Sequence, residues 1–143
     1  MSANDEPQFL DTNILIYAFD ASTGRKHEIA KALYEKLLIG NLGRTSLQIL
    51  QEFFVSVAYK SPKKLEISDA REVIKNLSAW PVHRPFAEDI LAAIDLSVRY
   101  QISFWDSLVI RSAQQTGCKI LWSEDFAHGQ EYDGVAVQNP FVA

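Results

Sequence analysis

The residues of this sequence best placed to do chemistry are the carboxylates Asp11, Glu52, Asp106 and Asp125. Asp11 ends the short apolar run Phe9-Leu10 and is followed by the helix-compatible Ile14-Leu15-Ile16-Tyr17-Ala18. In an open α/β sheet, ligand chemistry gathers just beyond the carboxyl ends of the strands, and a polar residue directly after an apolar strand is delivered to that rim. Asp125 follows the strand-like Lys119-Ile120-Leu121-Trp122, Asp106 begins a helix after Ile102-Ser103-Phe104-Trp105, and Glu52 lies in an apolar helix-like segment. Read together, they form one divalent-metal site. Oxygen donors without convergent His or Cys suit Mg²⁺ or Mn²⁺ and disfavour zinc. A metal so held lowers the proton affinity of a bound water and stabilises charge on a phosphoryl oxygen, which is nuclease chemistry more naturally than acyl transfer.

Each acid also has an ordinary role. Asp11 and Asp106 can cap helices at about 1 kcal/mol apiece, Glu52 can be a solvated helical acid, and Asp125, beside Glu124, can be a turn residue. Taken singly these roles suffice, but they do not explain why acids recur at strand ends and helix starts. His27, His83 and His128 are scattered without ligand spacing and read as surface or hydrogen-bonded histidines. Trp105, inside an apolar helix entry, reads as a packing residue rather than a base-stacking platform. Arg25, Lys26, Lys60, Lys63, Lys64 and Arg84 are candidate phosphate contacts, against the simpler reading of solvated charges. Asp11-Thr12-Asn13 lacks the glycine and distal glutamate of a calcium loop. Asn13 also stands where an aspartyl-phosphate phosphatase needs a second aspartate, which disfavours a phosphoenzyme.

The elements that must position these groups follow from periodicity. Pro7 to Leu10 make a short strand, and Asp11 or Thr12 caps a helix through Phe19. A second helix runs from about Lys26 to Ile39, with Ile29, Ala30, Leu33, Leu37 and Leu38 at helical spacing, and Gly40-Asn41-Leu42-Gly43 stops it. After a brief strand at Arg44-Thr45, Ser46 caps a helix carrying Leu47, Leu50, Phe53, Phe54 and Val57 on one face. Glu52 points away from that stripe, on a side that still holds Ile49, Val55 and Tyr59. Ser68 caps the next helix, which reaches Trp80, and Pro81 to Pro85 is a strand or connector. Pro85 starts a helix to about Tyr100 whose buried edge is Ile90, Leu91, Ile94 and Val98. Ser103 opens the last long helix and Gly117 closes it. Cys118 to Trp122 and Val135 to Val137 are strands, and Phe126 to Gly134 between them reads as loop. Short strands alternating with helices imply a mainly parallel sheet with helices on both faces.

Bulk properties bound the answer. A chain of 143 residues with 48% apolar residues is the size of one α/β domain with a sizeable core, here 1–143. The single cysteine, Cys118, excludes an intrachain disulfide and reads as a small buried residue. A net charge of −4 argues against a broad nucleic-acid-coating surface, without excluding a local basic rim. No apolar run is long enough to span a bilayer, and Met1 to Glu6 lacks the basic start and apolar centre of a signal peptide. A soluble, cytoplasmic protein is expected.

The ordered motifs Phe9-Leu10-Asp11-Thr12-Asn13-Ile14-Leu15-Ile16-Tyr17-Ala18, Gln51-Glu52-Phe53, Ser103-Phe104-Trp105-Asp106-Ser107-Leu108 and Leu121-Trp122-Ser123-Glu124-Asp125-Phe126 carry a resemblance. Together with the closing Gly134 to Phe141, they resemble those of PIN-domain ribonucleases of the VapC toxin type, over nearly the whole chain. The resemblance implies that Asp11, Glu52, Asp106 and Asp125 form the acidic pocket, catalytic and metal-binding, with Mg²⁺ or Mn²⁺ in it and single-stranded or looped RNA as substrate. It implies that Asn13 and Ser123 support the pocket and that a small antitoxin is the partner; the reaction expected uses metal-activated water with no covalent intermediate. A homodimer is expected as well, because the apolar content leaves room for a dimer surface. The competing reading, from another class, is a nuclease-like fold kept as a protein- or RNA-binding module without turnover.

Overall fold

The computed structural model describes residues 5–142; Met1 to Asn4, read above for the absence of a signal-peptide pattern, lie outside the described residues. In chain order the elements are β1 (Gln8–Leu10), α1 (Thr12–Ala18), α2 (Arg25–Gly40), β2 (Gly43–Ser46), α3 (Leu47–Val55) and α4 (Ile67–Leu77). They continue as β3 (Val82–His83), α5 (Ala87–Tyr100), α6 (Phe104–Gln115), β4 (Ile120–Trp122), β5 (Glu131–Tyr132) and β6 (Val135–Gln138). A 3₁₀ turn, Ala21–Thr23, precedes α2, and a π-helical turn, Ser56–Lys60, extends α3. The sheet order is β3-β2-β1-β4-β6-β5, parallel throughout except where β5 pairs with β6. This is the mixed α/β, mainly parallel architecture that the alternation of elements implies.

Local chemistry explains the strand-to-helix junctions that matter for the rim. β1 is buried along its length, as a central parallel strand is. Its last rung is made by the Asp11 N–H, which donates to the Trp122 carbonyl at 3.0 Å, and the chain then turns directly into α1. Ser46 ends β2 and caps α3 by accepting from the Ile49 N–H at 3.3 Å. Ser103 caps α6 by accepting from the Asp106 N–H at 3.0 Å. The N-terminal ends of α1, α3 and α6 are therefore fixed by short polar side chains, as such caps require. On the opposite end of the sheet, a Cβ on Gly43 would lie 2.4 Å from the Trp80 ring, so only glycine lets β2 begin there.

The core contains Phe9, Leu10, Ile14, Leu15, Ile49, Phe53, Leu121 and Val137, all without exposed surface. Cys118 is buried as expected, and burial pushes its thiol up to about 11. Among the described residues, no helix is long and apolar enough to cross a membrane.

Three expectations are corrected. Helix α4 begins at Ile67 with Glu66 at its N-cap and no side-chain cap bond, so Ser68 falls inside the first turn and caps nothing. The stretch Phe126 to Gly134 is not all loop. Asp133 and Gly134, at φ 44° and 91°, make a tight turn that pairs Tyr132 with Val135 and folds β5 antiparallel onto β6.

The third correction concerns α5. Ile90, Leu91, Ile94 and Val98 are not its buried edge; they are 44, 62, 45 and 67% exposed, while Asp89, Ala93 and Leu96 are buried. A polar cluster decides the orientation. Asp89 accepts from the Phe86 N–H at 2.8 Å and, across to α6, from Arg111 Nε at 2.9 Å and Gln115 Nε2 at 3.2 Å. His83 at the end of β3 joins through Nε2, 3.2 Å from Asp89 Oδ2, and through Nδ1, 2.7 Å from the Ser112 hydroxyl. Burial pushes the Asp89 carboxyl up, but the bonds from Phe86, Arg111 and Gln115 and the charge of His83 outweigh it and hold it at about 2. A buried charge must face its partners, so the apolar stripe faces out.

Candidate active site

Asp11 is 6% exposed at the carboxyl end of β1. Its Oδ1 accepts from the Thr12 N–H at 2.8 Å and its Oδ2 from the Ser123 hydroxyl at 2.7 Å. Burial pushes its carboxyl up to about 7; the bonds from Ser123 and Thr12 oppose the rise, and the charges of Asp125 and Glu52 add to it. No Lys or Arg among the described residues pairs with it.

Ser123 is fully buried and ties two acids to one point, because its hydroxyl also accepts from the Asp125 N–H at 3.0 Å. Parallel pairing of β1 with β4 makes this bridge possible by placing the residues after Leu10 and Trp122 side by side. The neighbouring acid, Glu124, is held elsewhere: the Tyr17 hydroxyl donates to one of its oxygens, and Lys26 Nζ lies 2.8 Å from the other. Lys26 also sits 4.9 Å from the Tyr17 ring centroid and 5.3 Å from that of Phe141. Glu124 is thus a paired side chain, while Asp125 stays exposed, and Lys26 is not a free cation for a phosphate.

Glu52 is exposed on α3 and accepts from the Thr12 hydroxyl at 3.1 Å, so it leans toward the start of α1. Asp106, in the first turn of α6, is half-buried. Burial pushes its carboxyl up, a hydrogen bond with Ser103 opposes this, and the charge of Asp125 adds to it. Asp125 therefore acts on both Asp11 and Asp106, and Asp11 feels Glu52.

The fold brings the acids to one rim within electrostatic reach. It does not gather them into a ligand cage: among the described residues, no three His, Cys, Asp or Glu side chains form a group that could hold a metal ion. Of the supporting residues, Ser123 makes the bonds just given. The Asn13 amide is buried without a hydrogen-bond partner. Two contributors escape sequence reasoning, Thr12, which orients Glu52, and Tyr132, whose hydroxyl is raised by burial, then by the charge of Asp106. Thr12 looks like a helix start in any chain, and Tyr132 sits in the strand mistaken for loop.

A mainly parallel sheet with carboxylates beyond its strand ends defines an acid-centred α/β domain. The family model described as PIN domain matches residues 9–130, and the chain belongs to that family. PIN domains are generally nucleases, hydrolases by reaction class. No curated protein matches the chain.

Proposed function

We propose that this chain is a divalent-metal-dependent endoribonuclease and the toxin of a toxin–antitoxin pair. The observation that carries the reading is Asp11, a buried carboxylate with no cationic partner among the described residues and two further acids acting on it. Burial and like charge both disfavour its ionised form, and such arrangements cluster at functional sites. The donor chemistry fits a hard cation, since every candidate ligand is a carboxylate and added positive charge would offset both penalties. Asp11, Glu52, Asp106 and Asp125 would hold Mg²⁺ or Mn²⁺, which when bound supplies a water of lowered proton affinity and charge stabilisation at a phosphoryl oxygen.

The chain's own residues divide the work by exposure. Ser123 fixes Asp11 and the backbone of Asp125, and Thr12 orients Glu52. In this reading the exposed carboxylates of Glu52 and Asp125 are the ones the RNA would meet first. What supports a protein partner is an apolar cleft of about 450 Å³ between α3 and α4, lined by Leu47, Leu50, Phe54, Ile67 and Ile74 with Arg71 at its edge. A small antitoxin is the partner proposed, and the outward stripe of α5 supports a homodimer.

A second reading, a binding module without turnover, is favoured by the absence of a gathered metal group among the described residues. Incubating the purified protein with a labelled RNA pool, with and without Mn²⁺, separates the two. Cleavage that needs Mn²⁺ is expected, and Asp106→Asn should abolish it while the fold persists, because asparagine still suits the start of a helix. Unimpaired cleavage by that variant would overturn the role of Asp106; RNA binding without any cleavage would favour the module. If the protein encoded beside this gene neither binds the chain nor suppresses its activity, the toxin reading loses its support.

A further inference from the structure

Trp105 is not the packing residue that its apolar neighbourhood suggests. It is 62% exposed, directly before Asp106, with its ring edge-on to Phe104 at 5.1 Å. Its carbonyl accepts from Gln48 Nε2 at 3.3 Å, which places it against the first turn of α3. At the other end of α3, a groove of about 340 Å³ is lined by Thr12, Gln51, Glu52, Val55, Ser56 and Lys60. Lys60 is exposed and makes no ion pair among the described residues.

The π turn explains how Lys60 comes to share a groove with Glu52. A continued α-helix would put it about 80° around the axis from Glu52. The wider turn, closed by the Ser61 N–H on the Ser56 carbonyl at 2.8 Å, takes more residues per revolution and swings Lys60 back toward the Glu52 face. Along α3 and its π turn the order is then the Trp105 carbonyl beside Gln48, next Glu52, then Lys60, with somewhat less than the roughly 18 Å of a continuous α-helix between Gln48 and Lys60. That is the reach of a few nucleotides.

We infer that a single nucleic-acid strand lies along α3, one base stacked on the Trp105 indole and one phosphate on Lys60, with Glu52 between them. The inference rests on the nuclease reading only for what the strand is for. An exposed indole is a stacking surface for any base, and an exposed ammonium beside an acid that repels phosphate is a point of attachment. Such a track asks for an unpaired strand, because bases in a duplex offer no free face to an indole.

Anisotropy of fluorescein-labelled single-stranded RNA and DNA oligonucleotides of one sequence, in EDTA, reads this track without turnover. Trp105→Ala should weaken binding roughly ten- to a hundredfold, and Trp105→Phe should keep most of it. Lys60→Ala should weaken binding and flatten the slope of log K against log salt by about 0.7, the share of one phosphate on a single strand. Wild-type protein that binds neither oligonucleotide, or Trp105→Ala and Lys60→Ala variants that bind as wild type does, would overturn the inference. So would light scattering showing that Trp105→Ala splits a dimer, since the indole would then belong to a contact between copies. Trp105→Leu, which keeps bulk without an aromatic face and should bind as weakly as the alanine variant, carries the test should Trp105→Ala fail to fold. Cleavage absent while the binding pattern stands sinks the nuclease reading alone, and cleavage present with binding indifferent to both residues sinks the track alone.

Discussion

Asp11 and Asp89 are both buried, 6 and 3% exposed, and the protein drives them in opposite directions, one up to about 7 and the other down to about 2. Asp89 lies between α5 and α6 with Arg111, Gln115, His83 and a backbone N–H around it. Asp11 has a hydroxyl, a backbone N–H and other acids. Burial raises both carboxyls, so the partners alone decide the sign. A carboxylate surrounded by donors and cations joins helices together. One surrounded by acids has its ionised form opposed, and the fold tolerates it because the caps and strands beneath it are held by other bonds.

The contrast can be broken most severely from the clamp side. Asp89→Ala would leave Arg111 and His83 without their anion in a buried setting, and urea unfolding should show a loss of about 3–5 kcal/mol. A loss below about 1 kcal/mol would make the cluster ornamental. The pH dependence carries the same sign. The Asp89 carboxyl is held below its unfolded value of 3.8, so its contribution is present above that pH and disappears as pH falls through about 2.

Asp11 should behave in the reverse manner. Its folded value lies above the unfolded 3.8, so the folded chain binds more protons between the two, and stability falls as pH rises from about 4 to 7. The full drop corresponds to roughly 4 kcal/mol. Asp11→Asn should flatten that slope and be the more stable protein at pH 8, with little advantage at pH 4. Parallel unfolding curves for the two proteins from pH 4 to 8 would contradict the account of Asp11.

A cation sharpens the comparison further. In the metal reading, Mn²⁺ at a hundred times its dissociation constant should stabilise wild type by about 2.7 kcal/mol, and Asp11→Asn should lose most of that response. Thermal melts in EDTA and across a Mn²⁺ titration measure it, and a wild-type melting temperature indifferent to Mn²⁺ and Mg²⁺ would count against the site. The smallest effect is expected at Glu124, whose partner Lys26 is 45% exposed. Glu124→Gln should lower stability by less than about 1 kcal/mol and leave cleavage intact. Collapse of cleavage in this variant would instead make Glu124 part of the acid site.

The residues that made the fold legible are those whose signal is local. Ser46 and Ser103 cap the helices that sequence reasoning gave them, and the strand-then-acid pattern at Asp11 and Asp125 sets the rim. The failures come from preferences decided at a distance. The stripe of α5 is helical in period, but which face is buried depends on Arg111 and His83, neither of which is visible from the helix itself. The Asp133-Gly134 turn carries a local hairpin signal, but the two-residue β5 beside it has no alternation to mark it as a strand. At the rim, nothing local to Glu124 shows that Lys26 and Tyr17 claim it from 98 and 107 residues away.

The two edges of the sheet have a consequence for how this protein meets others. β3 and β5, the outermost strands, are only two residues long, and β3 is bracketed by Pro81 and Pro85. Edges that short, one of them next to prolines, offer almost no row of free N–H and C=O groups for a foreign strand to pair with. Recruitment by β-augmentation is closed on both sides, so association is left to helix surfaces and loops. The outward stripe of α5 is one such helix surface, and charged substitutions at Leu91 or Val98 should reduce clumping during refolding at high concentration where changes along the sheet margin would do little.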